Sequence, residues 1–172
     1  MVLPWALQGF RPSGDVLEIG AGSGAMAAGL MAGYRDIRVT ATDFDDAMVA
    51  EAAARLAPFG DRVTTQQADA TALPFADASF DAVLSCLMLH HTVEWETALA
   101  EAVRVLRPSG RLVGFDLVAR PALRALHQHD GHLLRMMRLP ELRAAVGDLG
   151  LATADVTRGL GGYLVRFSLQ KA

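Results

Sequence analysis

Short apolar runs alternate along this chain with stretches in which apolar side chains recur every three or four positions. The runs at residues 15–19, 37–42, 62–66, 80–85 and 111–117 predict strands, the fourth almost wholly apolar, as strands covered on both faces are. Between them, residues 23–33 predict a helix with Met26, Leu30 and Met31 on one face. An Ala-rich helix over 45–56 begins with two acids, and a helix over 94–106 is stopped by Pro108 and Gly110. Residues 120–138, rich in Leu, His and Arg, also predict a helix, and 140–149 a shorter one with Pro140 in its first turn and Gly150 as its stop. Residues 151–157 and 163–169 predict two more strands. The five residues 158–162, three of them glycine, are too few for a helical crossover, so these strands form an antiparallel hairpin. The alternation predicts an α/β fold, a doubly wound and mostly parallel sheet of about seven strands with that hairpin at its end.

At 172 residues the chain is expected to form one domain with a continuous core. Residues 14–117 would be its core, 120–138 a cover over an acceptor, and 151–169 the hairpin. Sixteen basic against nineteen acidic side chains give a net charge of −3, without the electrostatic footprint of a dedicated nucleic-acid binder. No apolar run reaches eighteen residues and no charged-then-apolar start is present, so neither a membrane span nor a secretory signal is expected, and the cytoplasm is the expected compartment. The single cysteine, Cys86, has no internal disulfide partner, and its apolar neighbours suit a buried, unreactive thiol.

In a doubly wound sheet, ligands lie beyond the carboxyl ends of the strands. The first strand ends in Glu18 followed by Gly20, Gly22 and Gly24, a tight turn over which backbone can approach a ligand at a helix N-terminus. A carboxylate ahead of the glycines suits a ligand with a positive group, not one presenting only phosphate. The second strand ends in Asp43, nineteen residues beyond Gly24, where a carboxylate can take both hydroxyls of a ribose. Phe44 beside it could pack on a flat base. After the third strand, in the run Ala68-Asp69-Ala70, the carboxylate could accept from an exocyclic amine. Cys86, Leu87, His90 and His91 follow the fourth strand, near the reacting end. Plainer readings stand beside these: Asp43 as a helix cap, Phe44 as core, Asp69 as an ordinary loop carboxylate, and Asp77 and Asp81 as structural acids.

Glu18 with Gly20, Gly22 and Gly24, then Asp43, Asp69-Ala70 with Leu73-Pro74-Phe75, Ser79 to Val83, and Val105 to Leu112 follow one another in order. Together they resemble the class I S-adenosylmethionine-dependent methyltransferases, most closely the small-molecule branch (methyltransferase domain types 11 and 25), over roughly residues 14–117. The resemblance implies a Rossmann-like fold and methyl transfer from S-adenosyl-L-methionine to a small organic acceptor. It implies that Gly20, Gly22 and Gly24 pass under the methionine part with Glu18 near its ammonium. Asp43 would hold the ribose, Phe44 lie beside the adenine, Asp69 and Ala70 meet the adenine edge, and Cys86 and Leu87 line the sulfonium end.

His90 and His91 are the candidate general bases, with Asp116 as another, and either histidine could instead pack under the sheet or cap the next helix. Residues 120–138 hold Arg120, Arg124, His127, His129, His132, Arg135 and Arg138 against Asp130 alone. A basic cover favours an anionic acceptor, whereas an outward-facing set would be a solvated surface. The histidine spacing fits no recognised metal-ligand pattern, so no metal is expected. About fourteen residues precede the first strand, with Trp5, Leu7 and Phe10 offering one turn of lid. The site is therefore expected to be open, or completed by residues 120–138 or by a second subunit in a homo-oligomer. Two other functions compete. One is a non-enzymatic cofactor-binding module. The other is an NAD(P)-dependent oxidoreductase, since Gly22, Gly24 and Ala27 satisfy G-x-G-x-x-A; Glu18, Asp69-Ala70 and the terminal hairpin weigh against it.

Overall fold

Side-chain alternation along the strands divides the interior into two layers, one on each face of a sheet. The computed structural model describes residues 3–7, 9–119 and 135–172. Its strands are β1 (Gly14–Ile19), β2 (Ile37–Asp43), β3 (Val63–Gln67), β4 (Phe80–Cys86), β5 (Leu106–Leu117), β6 (Leu151–Gly159) and β7 (Leu164–Lys171). They form a seven-stranded sheet in the order β3-β2-β1-β4-β5-β7-β6. β3, β2, β1, β4 and β5 run parallel, and β7 pairs antiparallel with both β5 and β6. This is the doubly wound sheet with a terminal antiparallel hairpin that the pattern predicts.

Val16, Val39, Ala41, Ala82, Leu84 and Val113 point into one layer with α2 (Ala25–Gly33), α3 (Asp46–Leu56) and Leu7 of the short α1 (Leu3–Leu7). Leu17, Ile19, Val83, Leu112, Val165, Phe167 and Leu169 point into the other, against α4 (Trp95–Val105) and α5 (Leu139–Gly147). On α4, Trp95, Ala98, Leu99, Ala102 and Val103 form a single buried stripe. The strand order reverses direction between β1 and β4, which sets a crevice at the carboxyl ends of those two strands.

The structure moves several predicted boundaries, for identifiable reasons. Helix α2 starts at Ala25, two residues late, because Gly24 caps it with φ 77°. A β-carbon on Gly24 would come within 3.2–3.3 Å of Ala52 and Leu56, so this glycine also lets α2 and α3 pack closely. Helix α4 ends at Val105 because Leu106 is already extended and pairs with Phe80 of β4. β5 therefore starts five residues earlier than the apolar run suggests, with a register irregularity as Phe80↔Leu106 gives way to Ala82↔Arg111.

Of the predicted helix at 120–138, residues 120–134, and with them Arg120, Arg124, His127, His129, Asp130 and His132, lie outside the described residues. Residues 135–138 are not helical. Met136 and Met137 are buried there, and the Met137 carbonyl accepts from the Ala119 amide at 2.9 Å. α1 packs on the sheet instead of acting as a turn of lid. Its Trp5 ring stands edge-on to Phe115 with centroids 5.5 Å apart, and Arg166 donates to the Trp5 carbonyl.

Candidate active site

At the carboxyl ends of β1 to β4 lies a cavity of about 670 Å³, within the range of small-molecule and cofactor sites. Among the described residues its wall carries the acids Asp43, Asp45, Asp69 and Glu94 and no lysine or arginine. Phe44, Leu87 and Val93 are large apolar side chains held in solvent-exposed positions, and all three line this cavity, with Phe44 72% exposed. Such a site rewards a ligand with several hydrogen-bond donors and a flat apolar part. Among the described residues no lysine or arginine of this wall meets a pyrophosphate.

The glycine turn builds the floor. Gly20 and Gly22 have φ of 63° and 52°, a region open to glycine at little cost. A β-carbon on Gly20 would collide with the Met88 side chain, whereas Gly22 faces open space. The Gly22 amide donates to Asp43 Oδ2 at 2.7 Å, and the Asp45 amide to Asp43 Oδ1 at 3.0 Å. The Asp43 carboxylate is thus fixed at the cavity wall before any ligand arrives. It is not the cap of α3: Asp45 is, through a 2.8 Å bond from the Ala47 amide. Nor is Phe44 core. Asp69 and Ala70 line the opposite wall, where Asp69 Oδ1 accepts from both the amide and the hydroxyl of Thr71.

Glu18, Gly24 and Cys86 do not line this cavity. The alternation of β1 and β4 turns residues 18 and 86 toward the α2 layer, with Val16 and Leu84. Glu18 is 2% exposed, and its Oε2 has no hydrogen-bond partner among the described residues. Burial pushes its pKa up to about 8 against the pull of the Ala27 amide, and the nearby Asp43 charge adds to the rise. Burial likewise raises the Cys86 thiol well above its ordinary value, helped by Glu18 and Asp116, which leaves it unreactive.

The Glu18 shift has a consequence for stability. From the ordinary value of 4.5 up to about 8, the folded protein holds this proton more tightly than the unfolded chain. Stability therefore falls as pH rises through that window, and the loss is complete above it. Glu18→Gln, which keeps the neutral shape, is expected to flatten the slope. Melting curves from pH 5 to 8 should show wild type losing roughly 10 °C relative to the variant, and parallel curves would count against a buried neutral Glu18.

Beside the cavity, β5 delivers a buried acid. Asp116 is fully buried, and its carboxylate accepts from the Leu89 amide at 2.7 Å and from its neighbour Leu117 at 2.6 Å. It also lies 2.6 Å from His90 Nδ1. A carboxylate already holding two amide donors is an acceptor, so Nδ1 carries the hydrogen of this contact. His90 is 4% exposed and does not line the cavity. His91 does, with its ring centroid 4.0 Å from that of His90. Thr42, Met48, Thr71, Val93 and Glu94 are wall residues that strand-end reasoning passed over. Only Glu94 left a local signal, an acid just ahead of α4 whose side chain makes no capping bond.

Residues 17–114 match the model of the methyltransferase domain family. The chain is 39% identical over 104 residues to the ubiquinone/menaquinone biosynthesis C-methyltransferase UbiE of Desulfotalea psychrophila, a match covering 60% of this chain and 42% of that protein. It is 42% identical over 123 residues to the 27-O-demethylrifamycin SV methyltransferase of Amycolatopsis mediterranei, covering 67% of this chain and 45% of that one. The chain thus spans less than half the length of these curated relatives. Its fold is similar to the CurJ carbon methyltransferase, with TM-score 0.77 and 15% identity, over 97% of this chain and 51% of that one. The chain belongs to the methyltransferase domain family.

Proposed function

We propose that this chain transfers the methyl group of S-adenosylmethionine to a small organic acceptor that gives up a proton, a hydroxyl or an acidic carbon. The acid-walled cavity joined to the buried Asp116–His90 pair carries this reading. A bound donor supplies a sulfonium methyl that is already a strong electrophile. The chain's own task is therefore to hold the partners in line, to exclude water and to take a proton. Asp43 accepts the two ribose hydroxyls with the lone pairs not used by Gly22 and Asp45. Phe44 covers the base, Asp69 and the Ala70 backbone meet the adenine edge, and Gly20 and Gly22 pass under the methionine part. Leu87 lines the reacting end. Glu18, Gly24 and Cys86 support the floor from behind. With the donor bound, its methyl would go to the acceptor's nucleophilic atom, and the acceptor's proton would pass to the His90–His91 pair, of which His91 lines the cavity. Asp116 holds the His90 ring from behind, and His91 packs on that ring at the wall.

Relatives named for quinone and rifamycin methylation support hydroquinones and phenols as the first acceptors to try. The basic residues between 120 and 138 favour acceptors with an anionic group, and a homo-oligomer in the cytoplasm is the proposed setting. Among the described residues no helix is long and apolar enough to cross a membrane. Incubation with methyl-labelled donor and a panel of hydroquinones, phenols and their carboxylated analogues is expected to give labelled product, with His90→Ala reducing turnover about 100-fold. Donor binding without transfer to any of the panel would favour the non-enzymatic module.

A further inference from the structure

The cavity wall leading into α4 is held from outside by a residue that does not line it. Arg135 donates from Nη1 to the Val93 carbonyl at 3.1 Å. The same guanidinium grips both carboxylate oxygens of Glu96, at 2.7 and 2.6 Å, and lies over the Trp95 ring, 5.4 Å from its centroid. Val93 and Glu94 are wall residues, and Trp95, the next in the chain, is fully buried. Arg135 is itself tethered, because two residues on the Met137 carbonyl accepts from Ala119, just past the end of β5. That strand end also carries Asp116, which grips the Leu89 amide and His90. The segment from Leu87 to Glu94, which holds His91 against the cavity, is therefore clasped twice. A carboxylate holds its first half and a guanidinium its second, and both are anchored to the end of β5.

We propose that Arg135 is a positioning residue for the cofactor cavity, fixing the Val93–Glu94 wall through the Val93 carbonyl so that the site is preformed. The proposal rests on the reading that this cavity takes the methyl donor. The Arg135–Glu96 pair is partly exposed, with side-chain exposures of 45% and 39%, and such pairs add little to global stability. A purely structural role would thus leave little trace, whereas a positioning role appears in ligand affinity. A fork that reaches a carbonyl and both oxygens of a carboxylate at once is also specific to arginine.

The test is calorimetric titration of S-adenosylhomocysteine into wild type, Arg135→Ala and Arg135→Lys, with urea unfolding of each. Arg38→Ala, which removes the Arg38–Asp15 ion pair at the start of β1, serves as a surface-pair control. Arg135→Ala is expected to raise the dissociation constant about tenfold with its urea midpoint close to that of wild type. Arg135→Lys should recover only part of the loss, and Arg38→Ala should bind as wild type does. Binding by Arg135→Ala within twofold of an intact wild-type value overturns the positioning role alone. Failure of wild type itself to bind would remove the donor reading and this proposal with it.

Discussion

Asp43→Ala is expected to weaken S-adenosylhomocysteine binding about 100-fold, equivalent to roughly 2.7 kcal/mol. An ionised carboxylate offers about four lone-pair positions. Two are taken by the amides of Gly22 and Asp45, at 2.7 and 3.0 Å, and those bonds aim the remainder into the cavity. Two hydroxyls donating to one fixed carboxylate make charge-assisted bonds, each contributing about 1.5–3 kcal/mol. Truncation removes both and also frees the Gly22 amide, loosening the floor. Asp43→Asn keeps the shape but loses the charge and one acceptor, so it should fall between wild type and alanine. Because Asp45, and not Asp43, caps α3, the helix itself should persist in both variants. Calorimetric titration gives the result directly, and an affinity for Asp43→Ala within threefold of wild type would show that the carboxylate does not touch the ligand.

A second large effect is expected at Asp116. Asp116→Asn should lower kcat by up to about 100-fold, as far as loss of the His90 ring itself, with donor affinity little changed. Three hydrogens converge on this fully buried carboxylate, from Leu89, Leu117 and His90. An amide has a single accepting oxygen, and its NH2 group would face one of those donors. The ring of His90 then loses the partner that fixes its tautomer, while Asp43 and Asp69 are undisturbed. Leaving a buried donor unpaired also destabilises a protein by about 1–3 kcal/mol, so urea unfolding must confirm that the variant is folded at the assay temperature. Equal kcat in a folded Asp116→Asn protein would mean that the acceptor reacts without passing its proton through His90.

What could be read from the sequence was local, and what could not was long-range. The glycine turn, Asp43 and Asp69 stand at strand ends, where an apolar run simply stops, so their positions around one crevice follow from the alternation of elements. Even the turn of Glu18 and Cys86 into the α2 layer was implicit in the period of two, since they share faces with Val16 and Leu84. The early start of β5 was not, because Leu106 leaves the helical pattern only by pairing with Phe80, a strand residue far back in the chain. The Asp116–His90 pair likewise depends on the register that sets Cys86 opposite Phe115. The non-helical course of residues 135–138 runs against the helical propensity of Arg and Met. Burial of Met136 and Met137 and the bond to Ala119 override it.

The claim on which the rest depends is that one cavity, walled by acids at successive strand ends, takes S-adenosylmethionine and its product and not a dinucleotide. Isothermal titration of the wild-type protein with S-adenosylhomocysteine, and separately with NADPH, tests it most directly. One site per chain with a dissociation constant of roughly 1–100 μM for the first ligand, and no heat from the second, is the expected result. Heat from NADPH alone, or none from S-adenosylhomocysteine at millimolar concentration with folded protein, would contradict it.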